Sequence, residues 1–178
     1  MANMQAISML LQYIGENIAL FCGGLFSGAT LYICLTERPP RTALAFSELL
    51  ALSRANSGLT NGFLGVLAAV TALAALLAAF AGAGISWLVG GLAHTAAVLI
   101  LSTKVRTIAR ELADLAPERE FEAQGQALLR RQTTYFSGLC LAGLFAQYLF
   151  VVKPQATRMI GASASPWGST RPIVAACA

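Results

Sequence analysis

The chain has 178 residues, of which 57% are apolar and only 11% charged, with a formal net charge of +4. Soluble domains carry about a quarter charged residues, so this composition excludes an ordinary water-soluble globule. The basic excess does not point to nucleic acid either, because the Lys and Arg residues are sparse and sit beside apolar stretches, where they serve as membrane anchors.

Four stretches of about 20 residues lack any formal charge: Asn17–Thr36, Gly62–Ala81, Gly84–Thr103 and Gln132–Val152. At roughly 1.5 Å per residue, each makes a helix about as long as the hydrocarbon core of a bilayer is thick. The middle two share a block, Ala55 to Thr103, with no Lys, Arg, Asp or Glu in 49 positions. The expected fold is therefore all-α, an integral membrane four-helix bundle formed by residues 1–152, followed by a tail over 153–178.

No Lys or Arg precedes the first span and Glu16 stands at its edge. A signal peptide would have a basic start, so this span is expected to be retained. The connection after it opens Glu37-Arg38-Pro39-Pro40-Arg41, and two prolines stop a helix. Leu44, Leu49 and Leu52 then predict a short amphipathic helix lying at the interface. Gly82-Ala83-Gly84 predicts a tight turn that makes spans two and three an antiparallel hairpin.

Beyond the third span, Val105, Ile108, Leu112 and Leu115 recur at helical spacing. Pro117 starts a new helix with Glu118, Glu120 and Glu122 in its first turns, where acids suit the helix dipole. Phe121, Leu128 and Leu129 carry that stripe into span four. This predicts a cytoplasmic helical extension between spans three and four. From Lys153 onward the chain is rich in Ala, Ser, Gly and Pro and reads as coil unless a partner orders it.

Orientation follows from the basic residues. Nine lie in the connections 38–61 and 104–131, against three in the tail and none before span one. Positive charge favours the cytoplasmic side, which puts both connections there and both termini opposite, in a bacterial inner membrane or its equivalent.

Helices in lipid gain no hydrophobic drive from association, so small residues must let them approach closely. Gly24 and Gly28, Gly62 and Gly65, Gly90 and Gly91, and Gly138 and Gly143 supply a small-residue face on every span. That favours a tight bundle over a wide polar pore. Cys22, Cys34, Cys140 and Cys177 show no CxxC spacing. A Cys22–Cys140 bridge is conceivable, although thiols in membranes ordinarily stay reduced.

His94, the single histidine, lies near the middle of span three. A neutral imidazole there could contact a haem, pigment or quinone, or relay protons, and its ordinary role is a hydrogen bond to a neighbouring helix. One histidine cannot build a multi-histidine metal site. A second cluster gathers at the cytoplasmic rim: Tyr32, Glu37, Arg38, Arg41, Lys104, Arg106, Arg130 and Arg131. It could polarise a phenol or enolate, hold a quinone head group or bind anionic lipid, and its ordinary role is anchoring with salt bridges. Gln12, Glu16, Asn17 and Gln147 make a smaller polar group at the other rim. Phosphate-binding loops, HExxH and a nucleophile elbow are all missing.

The segment from Gly24 to Arg41, with Gly24, Gly28, Tyr32, Glu37, Pro39 and Arg41, resembles the anthrone oxygenase-like family. These are small four-span membrane proteins, mostly of unassigned function, with a Gly-rich first span ending in a Tyr…Glu-x-Pro-x-Arg pattern. The resemblance extends more weakly over residues 10–152. It implies oxidation of a polycyclic phenol or anthrone to a quinone without metal or flavin, with Tyr32, Glu37 and Arg41 as candidate catalytic residues. The chain departs from the pattern at the start of span four, Arg131-Gln132-Thr133-Thr134-Tyr135, and at the end of span three, Lys104-Val105-Arg106.

The losses favour an accessory or structural subunit of a larger membrane complex, keeping a degenerate pocket for an aromatic ligand or lipid. The alternative is an anthrone oxygenase-like enzyme. A transporter or channel would need polar residues through the membrane, and beyond His94 and Tyr32 there are nearly none. Membrane lipid and other membrane subunits are the expected partners.

Overall fold

The computed structural model describes residues 2–36, 45–116 and 119–163. Among these are five α-helices and no strand: α1 (Ala2–Thr36), α2 (Phe46–Ala78), α3 (Ile85–Ile100), α4 (Arg106–Asp114) and α5 (Glu122–Ser163). Four helical segments are long and apolar enough to cross a membrane, Met4–Leu35, Thr60–Ala83, Ile85–Asp114 and Glu122–Val152. They close into a ring in which α1 and α3 each pack on α2 and α5.

The hairpin between α2 and α3 turns at Gly82 (φ 110°) and Gly84 (φ 100°). Both occupy the left-handed region that a Cβ makes costly, which is why glycine stands at each. Beside this turn α1 has already begun, since the Ser8 hydroxyl donates to the Ala81 carbonyl at 3.0 Å. The first apolar segment thus starts well before Asn17. Glu16 does not interrupt it, because Gln12 one turn earlier donates to its carboxylate at 2.8 Å.

At the opposite end the arrangement differs from the expected one. The stretch expected as a separate interfacial helix around Leu49 and Leu52 is instead the first half of α2, running without a break into the second apolar segment. Leu50 on this half packs with Ile108 and Leu112 of α4, joined by Phe46, Leu128 and Leu129. Gly125 on α5 sits against the Phe46 ring, and a Cβ there would strike it. Arg54 donates to the Leu115 carbonyl at 2.6 Å, satisfying an acceptor just past the end of α4. The first half of α2, α4 and the start of α5 therefore form a three-helix head. Leu44 and residues 37–43 lie outside the described residues.

A π-type turn over Leu101–Val105 joins α3 to α4. The extra residue in that turn rotates α4 about the helix axis relative to α3. Leu101, Val105, Ile108 and Leu112 all face the interior. Helix α5 continues to Ser163, past Lys153, where coil was expected. Pro154 removes one backbone donor, yet Ala156, Met159 and Ile160 suit a helix. Residues 164–178 lie outside the described residues.

The surface changes character along the long axis. Around the ring, large apolar side chains face outward on every helix, among them Phe21, Leu25, Phe63, Leu73, Phe80, Leu92, Leu99, Leu141 and Phe145. Around the head, the outward residues are Glu48, Arg54, Arg106, Arg110, Glu111, Asp114, Arg130 and Arg131.

The glycines divide in a way their spacing did not reveal. Gly90, Gly91 and Gly143 lie at close helix contacts, as do Gly15, Gly23 and Gly125. Gly24, Gly28, Gly62, Gly65 and Gly138 do not pack inside the ring: a Cβ at any of them would meet no described atom within 4 Å.

Candidate functional site

The interior of the ring is mostly apolar; its buried polar residues include Ser27, Thr30, Thr71, Ser86, His94 and Gln132, and each helix of the ring contributes. On α3, helical spacing turns Trp87, Gly90, Gly91, His94 and Ala97 inward. His94 is only 1% exposed. Its Nδ1 lies 3.0 Å from the Gly90 carbonyl oxygen, which can only accept. In the neutral ring Nδ1 is therefore the donor, and Nε2 is left with a lone pair to offer. That Nε2 is buried and has no hydrogen-bond partner.

Aromatic rings surround the imidazole. The Phe26 ring of α1 meets it edge-on at 5.5 Å between centroids. The Phe150 ring of α5 lies nearly parallel to it at 6.1 Å and stacks on Trp87 at 4.5 Å. Gly90 makes this possible, because any Cβ at that position would occupy the space of the Phe150 ring.

The other helices add further buried polar groups. Ser27 of α1 is buried against Gly143 of α5, and its hydroxyl has no partner. Thr71 of α2 is fully buried and donates to its own Leu67 carbonyl at 2.8 Å. Gln147 of α5 lies over Gly23, whose other neighbour is the Thr71 methyl, and the Gln147 Nε2 is unpartnered. The Trp87 indole N–H is buried and unpartnered as well.

Hydrogen-bonding groups away from water cost free energy unless paired, on the order of 1–3 kcal/mol each. These groups offer two donors (the Trp87 and Gln147 N–H groups), one acceptor (the His94 Nε2) and the Ser27 hydroxyl, which can do either. The set consists of neutral groups of the kind that a small molecule such as water satisfies. It does not suit a charge. Nor does it suit a metal, since no group of three His, Cys, Asp or Glu side chains comes together among the described residues. A haem or other flat macrocycle would reach the buried Nε2 only by displacing the packed rings of Phe26 and Phe150.

The rim cluster stands differently. Tyr32 is 63% exposed, on the outward face of α1. Lys104, Arg106, Arg130 and Arg131 are likewise exposed on their helices. Glu37, Arg38 and Arg41 lie outside the described residues, so the structure does not place the catalytic candidates Glu37 and Arg41. At the hairpin end, Gln12 pairs with Glu16 and Asn17 donates to the Tyr13 carbonyl. Gln147 is not with them, because its contact with Gly23 lies two turns deeper along α1.

Sequence spacing identifies His94, and Gln147 as part of a rim group, but neither Ser27 nor Thr71. Ser27 stands inside a glycine pattern and Thr71 inside an alanine-rich run. A signal was present in α1, where Gly23, Ser27, Thr30 and Cys34 recur every three or four positions. Comparison of the chain with known protein families, with curated proteins and with solved structures finds no match in any of the three.

Proposed function

We propose that the chain is an integral membrane protein and serves as a non-catalytic accessory subunit of a larger membrane complex, with buried polar groups packed around His94. The observation that carries the membrane reading is the switch in surface character. Apolar side chains as large as Phe80, 83% exposed, surround the ring, whereas charged ones surround the head. In water that much outward apolar surface would drive aggregation, and in lipid it is the solvent-matched surface. The head, with Arg106, Arg110, Arg130 and Arg131, faces the cytoplasm under the positive-inside rule, and both termini lie opposite.

The outward glycines support the subunit reading. A glycine facing lipid contributes no contact and weakens a helix by roughly 1 kcal/mol relative to alanine. The same residue is useful where a helix of another subunit comes close. Gly24 with Gly28 and Gly62 with Gly65 are placed for such approaches. The resemblance of the Gly24–Arg41 segment to the anthrone oxygenase-like family agrees with four spans, and the packed ring around His94 favours an accessory role over turnover of a large aromatic substrate.

Extraction in a mild detergent tests this reading. The protein is expected in a particle far larger than its own 18.6 kDa plus the micelle. A monodisperse single chain after gentle solubilisation would remove the subunit reading.

A further inference from the structure

Two packed cores follow one another along the bundle, and the neck between them carries charge of one sign. In the ring, Leu64, Leu101, Val105 and Phe136 belong to one cluster. In the head, Leu50, Ile108 and Leu112 form another, against which Leu128 and Leu129 pack. Segments 51–63, 102–107 and 130–135 therefore cross the same neck. They contain Arg54, Lys104, Arg106, Arg130 and Arg131, and no Asp or Glu. Arg54 is engaged with the Leu115 carbonyl, whereas the other four reach outward as exposed side chains. Acids come only farther from the ring: Glu48 before Leu50, Glu111 and Asp114 past Ile108, Glu120 and Glu122 before Leu128. Helix α1 meets the ring core with Ile33 and is uncharged from there to Thr36. Height identifies what the neck meets. Lys104 follows Gly84 by 20 residues, and that much helix is about 30 Å long, the thickness of a hydrocarbon core. With the hairpin turn at one boundary of the bilayer, Lys104 stands at the other, where lipid phosphates begin. Tyr32, 63% exposed near the end of α1, is a side chain typical of that boundary.

We propose that Lys104, Arg106, Arg130 and Arg131 form a basic collar that binds anionic phospholipids of the leaflet on the head side through their phosphates. The inference rests on the reading of the ring as membrane-embedded. A guanidinium grips a phosphate with two parallel N–H bonds, and the lysine ammonium adds a mobile positive charge. The neighbouring hydroxyls contribute no donor, because Thr103, Thr107 and Thr134 each donate to a carbonyl of their own helix. Recognition at the neck is therefore by charge. A zwitterionic lipid presents its phosphate with an ammonium beside it, which the collar repels. An anionic lipid presents the phosphate without that ammonium, so the collar selects it. Lipids held at this height seat the head on the membrane surface through α4 and α5.

The test titrates the full-length protein in detergent with phosphatidylglycerol or phosphatidylcholine of the same acyl chains, and native mass spectrometry counts the lipids retained. Phosphatidylglycerol is expected to bind roughly tenfold more tightly or better, and that preference should shrink about fivefold for each collar charge removed. The paired variants Lys104→Gln with Arg106→Gln, and Arg130→Gln with Arg131→Gln, read this loss. All four side chains are exposed, and retained helical circular dichroism shows that a lost preference is not a lost fold. Lys153→Gln with Arg158→Gln removes the same charge beyond the far end of the last apolar segment and should leave the preference unchanged. Equal retention of the two lipids, or a preference that only the Lys153 and Arg158 pair removes, would overturn the collar while leaving the membrane reading intact. Displacement of phosphatidylglycerol by inorganic phosphate at equal concentration would also overturn it, as the mark of an ion site. Retention of neither lipid would overturn both readings.

Discussion

Gly90→Val is expected to destabilise the bundle by about 1–3 kcal/mol, the usual cost of forcing extra atoms into a packed interior. A Cβ at position 90 would fall on the Phe150 ring. Such a collision is cheap where the struck side chain can swing away, and this one cannot. Phe150 is 1% exposed, stacked on Trp87 on one side and near His94 on the other. The adjustment must therefore spread into the helices. Thermal unfolding in detergent, followed by circular dichroism, reads the effect. The pair Gly90→Ala and Phe150→Leu provides the diagnostic cycle: the double variant should be more stable than the sum of the single losses predicts, because the smaller side chain makes room for the new methyl group. Strict additivity would mean that the two residues do not touch.

The second large effect belongs to His94. Replacing it by aspartate puts a carboxylate into a ring of aromatic side chains with no cation described nearby, at a depth where insertion alone costs roughly 2.5–3.5 kcal/mol. His94→Asp is expected to fail to accumulate in membranes or to unfold at much lower temperature. His94→Phe keeps the flat shape and loses the Nδ1 bond to a Gly90 carbonyl that already accepts within its own helix. That change should cost only about 1 kcal/mol. The contrast separates a space-filling imidazole from one whose Nε2 holds an essential partner. If His94→Phe were as damaging as His94→Asp, the buried Nε2 would have to be anchoring something the fold depends on.

Much of this architecture could be read directly from residue order, for a simple reason. Freedom from charge over about 20 residues is a local property, so the four apolar helices and the Gly82–Gly84 turn needed no partner to be recognised. What stayed hidden was set by contacts between distant segments. The stretch around Leu49 and Leu52 looks like a lone amphipathic helix until Ile108, Leu112 and Leu128 are brought to its Leu50 and Phe46, and then the same stretch forms the base of a head. Gly23 and Gly24 are neighbours in sequence, yet one lies under Gln147 and the other faces outward. Spacing alone ranks them equally, because the inward face of α1 is decided by the helices around it.

The candidate site shows the same division. A single histidine in an uncharged run draws attention at once, since ionisable groups in apolar segments are rare. Ser27 and Thr71 draw none, because each is individually ordinary, and Gln147 reads as part of a rim group rather than of this one. Only the packing of the four helices brings them into one interior, and only burial makes the unpaired atoms of Ser27 and Gln147 meaningful.

The membrane assignment requires lipid to be the solvent for the outward face of the ring. Fractionation of cells producing the full chain, with an alkaline carbonate wash of the membranes, tests this most directly. The polypeptide is expected to stay in the sedimented bilayers and to leave them only when detergent is added. Its appearance in the detergent-free supernatant as a dispersed, helical species would contradict that assignment.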